Sequence, residues 1–234
     1  MVTETAYIIL KFTQRKNFLF FFFYILFIPI VKGVFSAQKD KEDIKTIQIW
    51  LDSAKTLIDI DIIKAKNLAE NALKASNSIN YVPGIFESKI ELSRISAKQG
   101  SFTNAIDLAY NVLEYAHEKE NKKYIYQASH ILTGIYFSFK DYKKSKEYGL
   151  EVNKLSLNFK DTVSYVNSGI GLCLIYLELK DTVTALSYLS KSLSIAEKSE
   201  KKCRISFIHY IYGDLYCNEK DYNTSLFHLG NIKK

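Results

Sequence analysis

The chain has 234 residues, a formal net charge of +7, two prolines and nine glycines. A β-sandwich needs a turn about every 8–12 residues, so this small number of turn-forming residues favours long helices. The positive charge is almost all lysine, because Arg15, Arg94 and Arg204 are the only arginines. Arginine supplies most bidentate contacts to phosphates and bases, so we expect no direct nucleic-acid binding by this chain.

Residues 18–31 form an apolar run without a charge. Lysine and arginine precede the run, and small residues follow it near Ser36 and Ala37, which is the pattern of a secretory signal peptide. The run is shorter than the about 20 residues that span a bilayer as a helix. We therefore expect residues 1–36 to be a signal peptide, with an uncleaved anchor as the alternative. The protein would then be exported, and either periplasmic or anchored in the membrane and facing the periplasm.

The rest of the chain repeats itself at a constant interval of forty residues. Each copy has Asp or Ser followed four positions later by a small residue, and this small register consists of Ala65, Ala105, Ser145, Ala185 and Ser225. A second small register lies twelve positions earlier, at Ser53, Ser93, Thr133, Cys173 and Gly213. A fixed period of this length is the signature of a solenoid built from stacked supersecondary units.

Each copy predicts a helix, a short turn and a second helix. In the third copy, Leu132, Ile135 and Tyr136 have the spacing of one face of a first helix. In the second copy, Ala105 and Val112 lie on one face of a second helix. The Asp or Ser that begins the second helix is expected to accept hydrogen bonds from its free N–H groups. The small residues should lie where two helices pack closely, because a bulky residue would push them apart.

The pattern resembles the tetratricopeptide repeat (TPR), in which a large–small pair and an aromatic residue in the first helix precede a small residue in the second. The resemblance is carried by Leu132-Thr133, Tyr136 and Ser145, by Leu172-Cys173, Tyr176 and Ala185, and by Tyr212-Gly213, Tyr216 and Ser225. The chain departs from the family in its period, which is forty residues rather than about 34, and in lacking the early Trp and final Pro. The resemblance implies an all-α fold: an α-α superhelix of about five helix–turn–helix units.

The forty-residue interval divides the chain after the signal peptide into five repeats, at 37–80, 81–120, 121–160, 161–200 and 201–234. The fifth repeat is the shortest, and its second helix would end early. We therefore expect it to be truncated and to be followed by further chain.

Motifs for catalysis are missing from the sequence, which has no HExxH, GxSxG or P-loop pattern. Gly169 and Gly171 match the start of a dinucleotide fingerprint, but they fall inside a predicted helix, where close helix packing explains them better. The three cysteines form no CxxC pair, and the four histidines are not spaced as metal ligands. We therefore expect a protein that is not an enzyme and that uses neither a cofactor nor a metal.

The resemblance implies that a ligand binds on the concave face, which the first helices of the repeats would line. By position, the candidate ligand-binding residues are Arg94, Lys98, Gln127, His130, Phe137, Asn167, Leu174, Glu178, Tyr210 and Asp214. In this set, Gln127 and Asn167 would supply hydrogen bonds, while Phe137 and Tyr210 would supply apolar contact.

The expected function is that of a non-catalytic module that binds a protein or peptide in this groove. An exported array of long units resembles the sensory part of bacterial membrane-bound regulators. The part that is absent here would then be a helix-turn-helix DNA-binding domain or a histidine kinase. The alternative is a free periplasmic scaffold or envelope assembly factor. We expect contact with the membrane only through the N-terminal segment or through a span beyond residue 234.

Overall fold

A computed structural model describes residues 41–159, 161–199 and 202–233. The predicted signal peptide, residues 1–36, lies outside these residues. The helices are α1 (41–57), α2 (Ile62–Ser78), α3 (Val82–Lys98), α4 (Phe102–Glu118), α5 (Lys122–Ser138), α6 (Tyr142–Asn158), α7 (Thr162–Glu178), α8 (Thr182–Lys198), α9 (Lys202–Asn218) and α10 (Tyr222–Gly230), followed by a 3₁₀ helix at Asn231–Lys233. We call the odd-numbered helices the A helices and the even-numbered helices the B helices.

The helices are uniform in length and spacing. Each helix from α2 to α9 has 17 residues, and consecutive helices begin twenty residues apart. From α2 onward, each helix packs against the next one along the chain, and the A helices α3 and α5 also touch each other. The predicted all-α fold of paired helices is therefore confirmed.

The turns between the helices share one hydrogen-bond pattern. Gly100 has a φ of 77°, and its N–H donates to the Ala97 carbonyl at 3.1 Å, while the Ser101 N–H donates to the Ser96 carbonyl at 2.8 Å. These two backbone hydrogen bonds together form the Schellman motif, which satisfies the last carbonyls of a helix. Residues at the same place in other turns also have a positive φ, namely Asn80, Glu120, Lys140, Lys180 and Lys220.

The residue that closes a turn also begins the next helix. The Asp141 N–H donates to the Tyr136 carbonyl at 3.0 Å, and the Asp141 carboxylate accepts from the Lys144 N–H at 3.1 Å. The prediction that the Ser101 side chain caps its helix is wrong, because its hydroxyl accepts no hydrogen bond from the first turn of α4. The predicted caps of the other B helices are confirmed, at Asp61, Asp141, Asp181 and Asp221.

The two small registers meet inside the helix pairs. The Ser93 hydroxyl donates to the Ala105 carbonyl at 2.6 Å, and the Ser225 hydroxyl donates to the Gly213 carbonyl at 2.7 Å. A side chain on one helix therefore reaches the backbone of the other, as the prediction of close packing requires. The small residues of the B helices are all buried, namely Ala65, Ala105, Ser145, Ala185 and Ser225.

Large residues beside the small registers complete the core. Leu132 and Leu172, at equivalent positions of α5 and α7, are both fully buried. Full burial of a leucine side chain contributes about 1.5–3 kcal/mol to folding, so each repeat adds a similar increment of stability. No helix among the described residues is both long enough and apolar enough to cross a membrane.

Gly169 and Gly171 on α7 have different surroundings. A Cβ added at Gly169 would lie 2.2 Å from Ser192 Oγ on α8, so close packing explains this glycine. No atom lies within 4 Å of a Cβ added at Gly171. The prediction of close packing is therefore wrong at Gly171, because this residue lies on a side of α7 that borders open space.

Candidate functional site

Three adjoining cavities run along the A helices, and together we call them the groove. The first is lined by α3, α4 and α5, the second by α5, α6 and α7, and the third mainly by α7 and α9. His130 and Gly134 line both the first and the second cavity. Phe137 and Leu174 line both the second and the third. The groove is therefore continuous from the C-terminal part of α3 to the end of α9.

The central cavity, which we call the slot, is an apolar space of about 220 Å³. Phe137, Val152 and Leu174 contribute side chains to its lining. Gly134 on α5 and Gly171 on α7 both line the slot, and no atom lies within 4 Å of a Cβ added to either glycine. The slot is therefore open because two neighbouring A helices both lack a side chain there.

Four polar residues line the slot. The Thr133 hydroxyl donates to the Ser129 carbonyl at 2.8 Å, and the Ser168 hydroxyl donates to the Tyr165 carbonyl at 2.9 Å. Both hydroxyls therefore use their proton within their own helix. The other two are His130 and Asn167. His130 is exposed at the surface of its helix, but neighbouring atoms remove much of the water around its ring. This desolvation lowers the pKa of His130, and the positive charge of Arg94 lowers it further.

The third cavity carries most of the charge of the groove. Glu178, Asp214 and Glu219 line it together with Lys180, and Phe207 and Tyr210 add exposed aromatic surface. Among the described residues, none of these three carboxylates forms an ion pair within 4.0 Å. Asp214 accepts a neutral hydrogen bond instead, from Asn218 Nδ2 at 3.5 Å.

Arg94 at the opposite end of the groove, and Lys98 beside that end, are both paired with acidic residues. Arg94 Nη1 lies 3.9 Å from Oε1 of Glu91, which is buried. Burial raises the pKa of Glu91, and the charge of Arg94 opposes that shift. Lys98 forms an ion pair with Asp59 in the turn after α1. Among the described residues, the unpaired charge of the groove therefore lies at its α7–α9 end and is net negative, with three carboxylates against Lys180.

The groove brings together most of the residues that the sequence analysis proposed. Lys98 and Gln127 do not line any of the three cavities, and the Gln127 amide oxygen is buried without a hydrogen-bond partner among the described residues. The proposed residues that do line the groove are Arg94, His130, Phe137, Asn167, Leu174, Glu178, Tyr210 and Asp214.

Sequence reasoning missed several parts of the groove. Val152 and Gly149 form the floor of the slot although they lie on a B helix. The sequence pattern predicts helix packing at Gly171, and Glu219 lies outside the ten candidate residues. The signal that could have identified the slot is a glycine at each of two groove-facing positions, Gly134 and Gly171.

A second cluster lies away from the groove, where α9 meets α10. Nδ1 of the buried His209 lies 3.0 Å from Nδ1 of His228, and the Tyr212 ring stacks on the His228 ring at 4.5 Å. Neither histidine lines the groove. In the described part of the chain, no three or more His, Cys, Asp or Glu residues are grouped as metal ligands would be.

The arrangement of helices matches that of known repeat proteins. One is a kinesin light chain from Podosopora anserina with nearly identical TPR-like repeats, at 16% identity and a TM-score of 0.65, over 80% of this chain and 93% of that one. A second is BtubC from P. vanneervenii, at 17% identity and a TM-score of 0.62, over 74% and 72% of the two chains. A third is the apo form of the quorum sensor NprR from B. thuringiensis, at 12% identity and a TM-score of 0.59, over 80% and 64%.

These likenesses show the fold, which is a TPR-like α-α solenoid, and confirm that part of the resemblance. No protein-family model matches the sequence, and no curated protein does.

Proposed function

We propose that the chain is a non-catalytic binding module that holds a peptide segment of a partner in the groove. The slot is the observation that carries this proposal. Its volume of about 220 Å³ lies below the about 300–1,000 Å³ of pockets that enclose a drug-sized ligand. The slot therefore suits one side chain of a longer ligand, and the continuous groove on either side suits the rest of that ligand.

The chemistry of the slot favours binding over turnover. Catalysis needs an acid, a base or a nucleophile aimed at a common point. The hydroxyls of Thr133 and Ser168 donate to backbone carbonyls of their own helices, so His130 does not activate either one. The remaining lining is apolar apart from Asn167.

We also propose that the module is the exported sensory part of a bacterial membrane-bound regulator. Two observations support this role: the apolar run at residues 18–31 has the form of an export signal, and NprR, which shares the fold, is a quorum sensor. The alternative is a free periplasmic scaffold. Affinity purification from an envelope fraction separates the two roles, because a scaffold is expected to recover stable envelope partners.

The binding proposal is tested by filling the slot. We expect Gly134→Leu to weaken binding to a library of random octapeptides at least tenfold. No atom lies within 4 Å of a Cβ added at Gly134, so the new side chain can start into the slot and fill part of it. Gly230→Leu is the matched control, since it also adds a side chain in open space but lies outside the groove. Equal binding by the full-length wild type and Gly134→Leu, with unchanged circular dichroism, would reject the proposal.

Export is tested separately with a fusion of alkaline phosphatase after residue 40, since this enzyme is active only outside the cytoplasm. We expect the fusion to be active in a bacterial host. Loss of that activity is expected when charged residues interrupt the apolar run at 18–31. An inactive fusion that is produced in normal amounts would contradict the proposed location.

A further inference from the structure

The groove differs in charge from the rest of the protein. Residues 1–36 contain four basic residues and one acidic residue, so the remaining chain has a net charge of +4. Within this basic remainder, the third cavity has three carboxylates, from Glu178, Asp214 and Glu219, and one lysine, Lys180. The excess of negative charge is therefore local to one end of the groove.

The two ends of the groove also differ in how their charges are compensated. At the α3 end, Arg94 is paired with the buried Glu91. At the α9 end, Glu178 and Asp214 are exposed and form no ion pair with any of the described residues. A ligand therefore meets compensated charge at the α3 end and uncompensated negative charge at the α9 end. Because complementary charges across an interface favour binding, this end favours a positively charged ligand.

We propose that the occupant of the groove is a cationic peptide that places one large apolar side chain in the slot and its lysine or arginine side chains over Glu178 and Asp214. This inference rests on the proposed function and specifies the class of its ligand. An acidic peptide is disfavoured because its charge would face the unpaired carboxylates. The neutral lining of the slot excludes a charged side chain there, since burying an unpaired charge is costly.

The spacing between the two features follows from the repeat. The slot and the third cavity share Phe137 and Leu174, so they adjoin each other. Neighbouring packed helices lie about 8–10 Å apart, and an extended peptide advances about 3.3–3.6 Å per residue. The cationic residues of the ligand should therefore lie about three residues from the apolar residue.

An immobilised array of decapeptides tests the proposal with the labelled full-length protein. Each peptide has one Phe, Leu or Met in a Gly/Ser background, with Lys-Lys, Glu-Glu or Ser-Ser at spacings of about one to five residues from it. We expect the Lys-Lys series to be retained at least tenfold more strongly than the Glu-Glu series, with the strongest binding near a spacing of three. We expect the double variant Glu178→Gln/Asp214→Asn to lose this preference while it binds the Ser-Ser series within about twofold of wild type.

The double variant Asp107→Asn/Glu114→Gln is the matched control, because it removes the same charge from exposed positions on the B helix α4. It should keep the preference for Lys-Lys. Equal retention of the Lys-Lys and Glu-Glu series would overturn the inference but leave the proposed function standing, provided that Gly134→Leu abolishes that retention. Retention of no peptide, or retention that Gly134→Leu does not change, would overturn both.

Discussion

The Ser145 hydroxyl on α6 donates a 2.9 Å hydrogen bond to the Thr133 carbonyl on α5. The equivalent bond joins Ser225 on α10 to the Gly213 carbonyl on α9. In the second repeat the direction is reversed, because Ser93 on α3 donates to the Ala105 carbonyl on α4. A small residue at these positions thus allows close approach, and a serine also links the two backbones. This contact defines the geometry of the helix pair on which the groove is built.

Replacement of Ser145 should separate these two roles. We expect Ser145→Ala to lower the free energy of unfolding by about 0.5–1.5 kcal/mol, because it removes one hydrogen bond. Ser145→Leu should cost about 1–3 kcal/mol or more, because the larger side chain forces α5 and α6 apart. Ser138→Ala, which removes an exposed hydroxyl, should change stability by less than about 0.5 kcal/mol. Urea unfolding measures all three, and equal costs for Ala and Leu at position 145 would contradict the packing role.

The turn residues offer a second test. Lys140 has a φ of 61°, and a left-handed conformation costs a residue with a Cβ about 1–2 kcal/mol relative to glycine. We therefore expect Lys140→Gly to raise the free energy of unfolding by about 1 kcal/mol, and Gly100→Ala to lower it by a similar amount. The control is Lys154→Gly inside α6, which should be destabilising by about 1 kcal/mol. A loss of stability in Lys140→Gly, measured by thermal or urea unfolding, would refute the turn assignment.

Glycines inside the helices should divide into two groups. Gly134→Ala and Gly171→Ala add a methyl group in open space, so each should stabilise its helix by up to about 1 kcal/mol. Gly84→Ala should instead be destabilising by about 1–3 kcal/mol, because its Cβ would lie 2.3 Å from Ser76 Oγ and 2.5 Å from Tyr81 Cδ1. Melting temperatures of the three variants check this division, and a destabilised Gly171→Ala would show that the slot is closed in solution.

The contact between His209 and His228 predicts a pH dependence. Burial lowers the pKa of both rings; Glu197 partly opposes this at His209, whereas His209 reinforces it at His228. The unfolded chain therefore binds protons more readily, so stability is full above about pH 6.5 and falls as the pH drops through the lowered pKa values.

The variant His228→Phe isolates this effect, because it keeps an aromatic ring against Tyr212 but removes one titrating group. Its loss of stability between about pH 7.5 and about pH 5 should be smaller than that of wild type. The pKa of His130 is also lowered, but His130 is present in both proteins and therefore contributes the same loss of stability to each. Urea unfolding at the two pH values gives the comparison, and an equal loss in both proteins would rule out the histidine pair as its cause.

The fold could be predicted from the sequence because its determinants are local and periodic. Small residues recur at Ala105, Ser145 and Ala185 because two helix backbones can pack closely only where a small residue lies between them. The same interval then predicts which residues of the A helices lie on the groove. Position alone therefore predicted that Phe137 and Leu174 both lie on the groove, and the structure shows that they line the same two cavities.

The rest of the groove depends on features that periodicity does not report. An open glycine such as Gly171 and a packed glycine such as Gly169 look alike in sequence, because the difference lies in the neighbouring helix. Lys98 has the right position for the groove, but its long side chain pairs with Asp59. Contacts of this kind depend on the length and conformation of individual side chains, which the repeat pattern does not specify.

The constant spacing of the helices makes the array tolerant of gene duplication and intolerant of small insertions. A segment of forty residues duplicated or lost at any point would rejoin the chain at an equivalent position, so the groove would change in length by one whole unit. A single inserted residue would instead rotate every later side chain of its helix by about 100°. An insertion within the first turns of α7 would thus turn Leu174 away from the slot. Ligands of different length could therefore be accommodated by recombination between repeats, without any change in the fold.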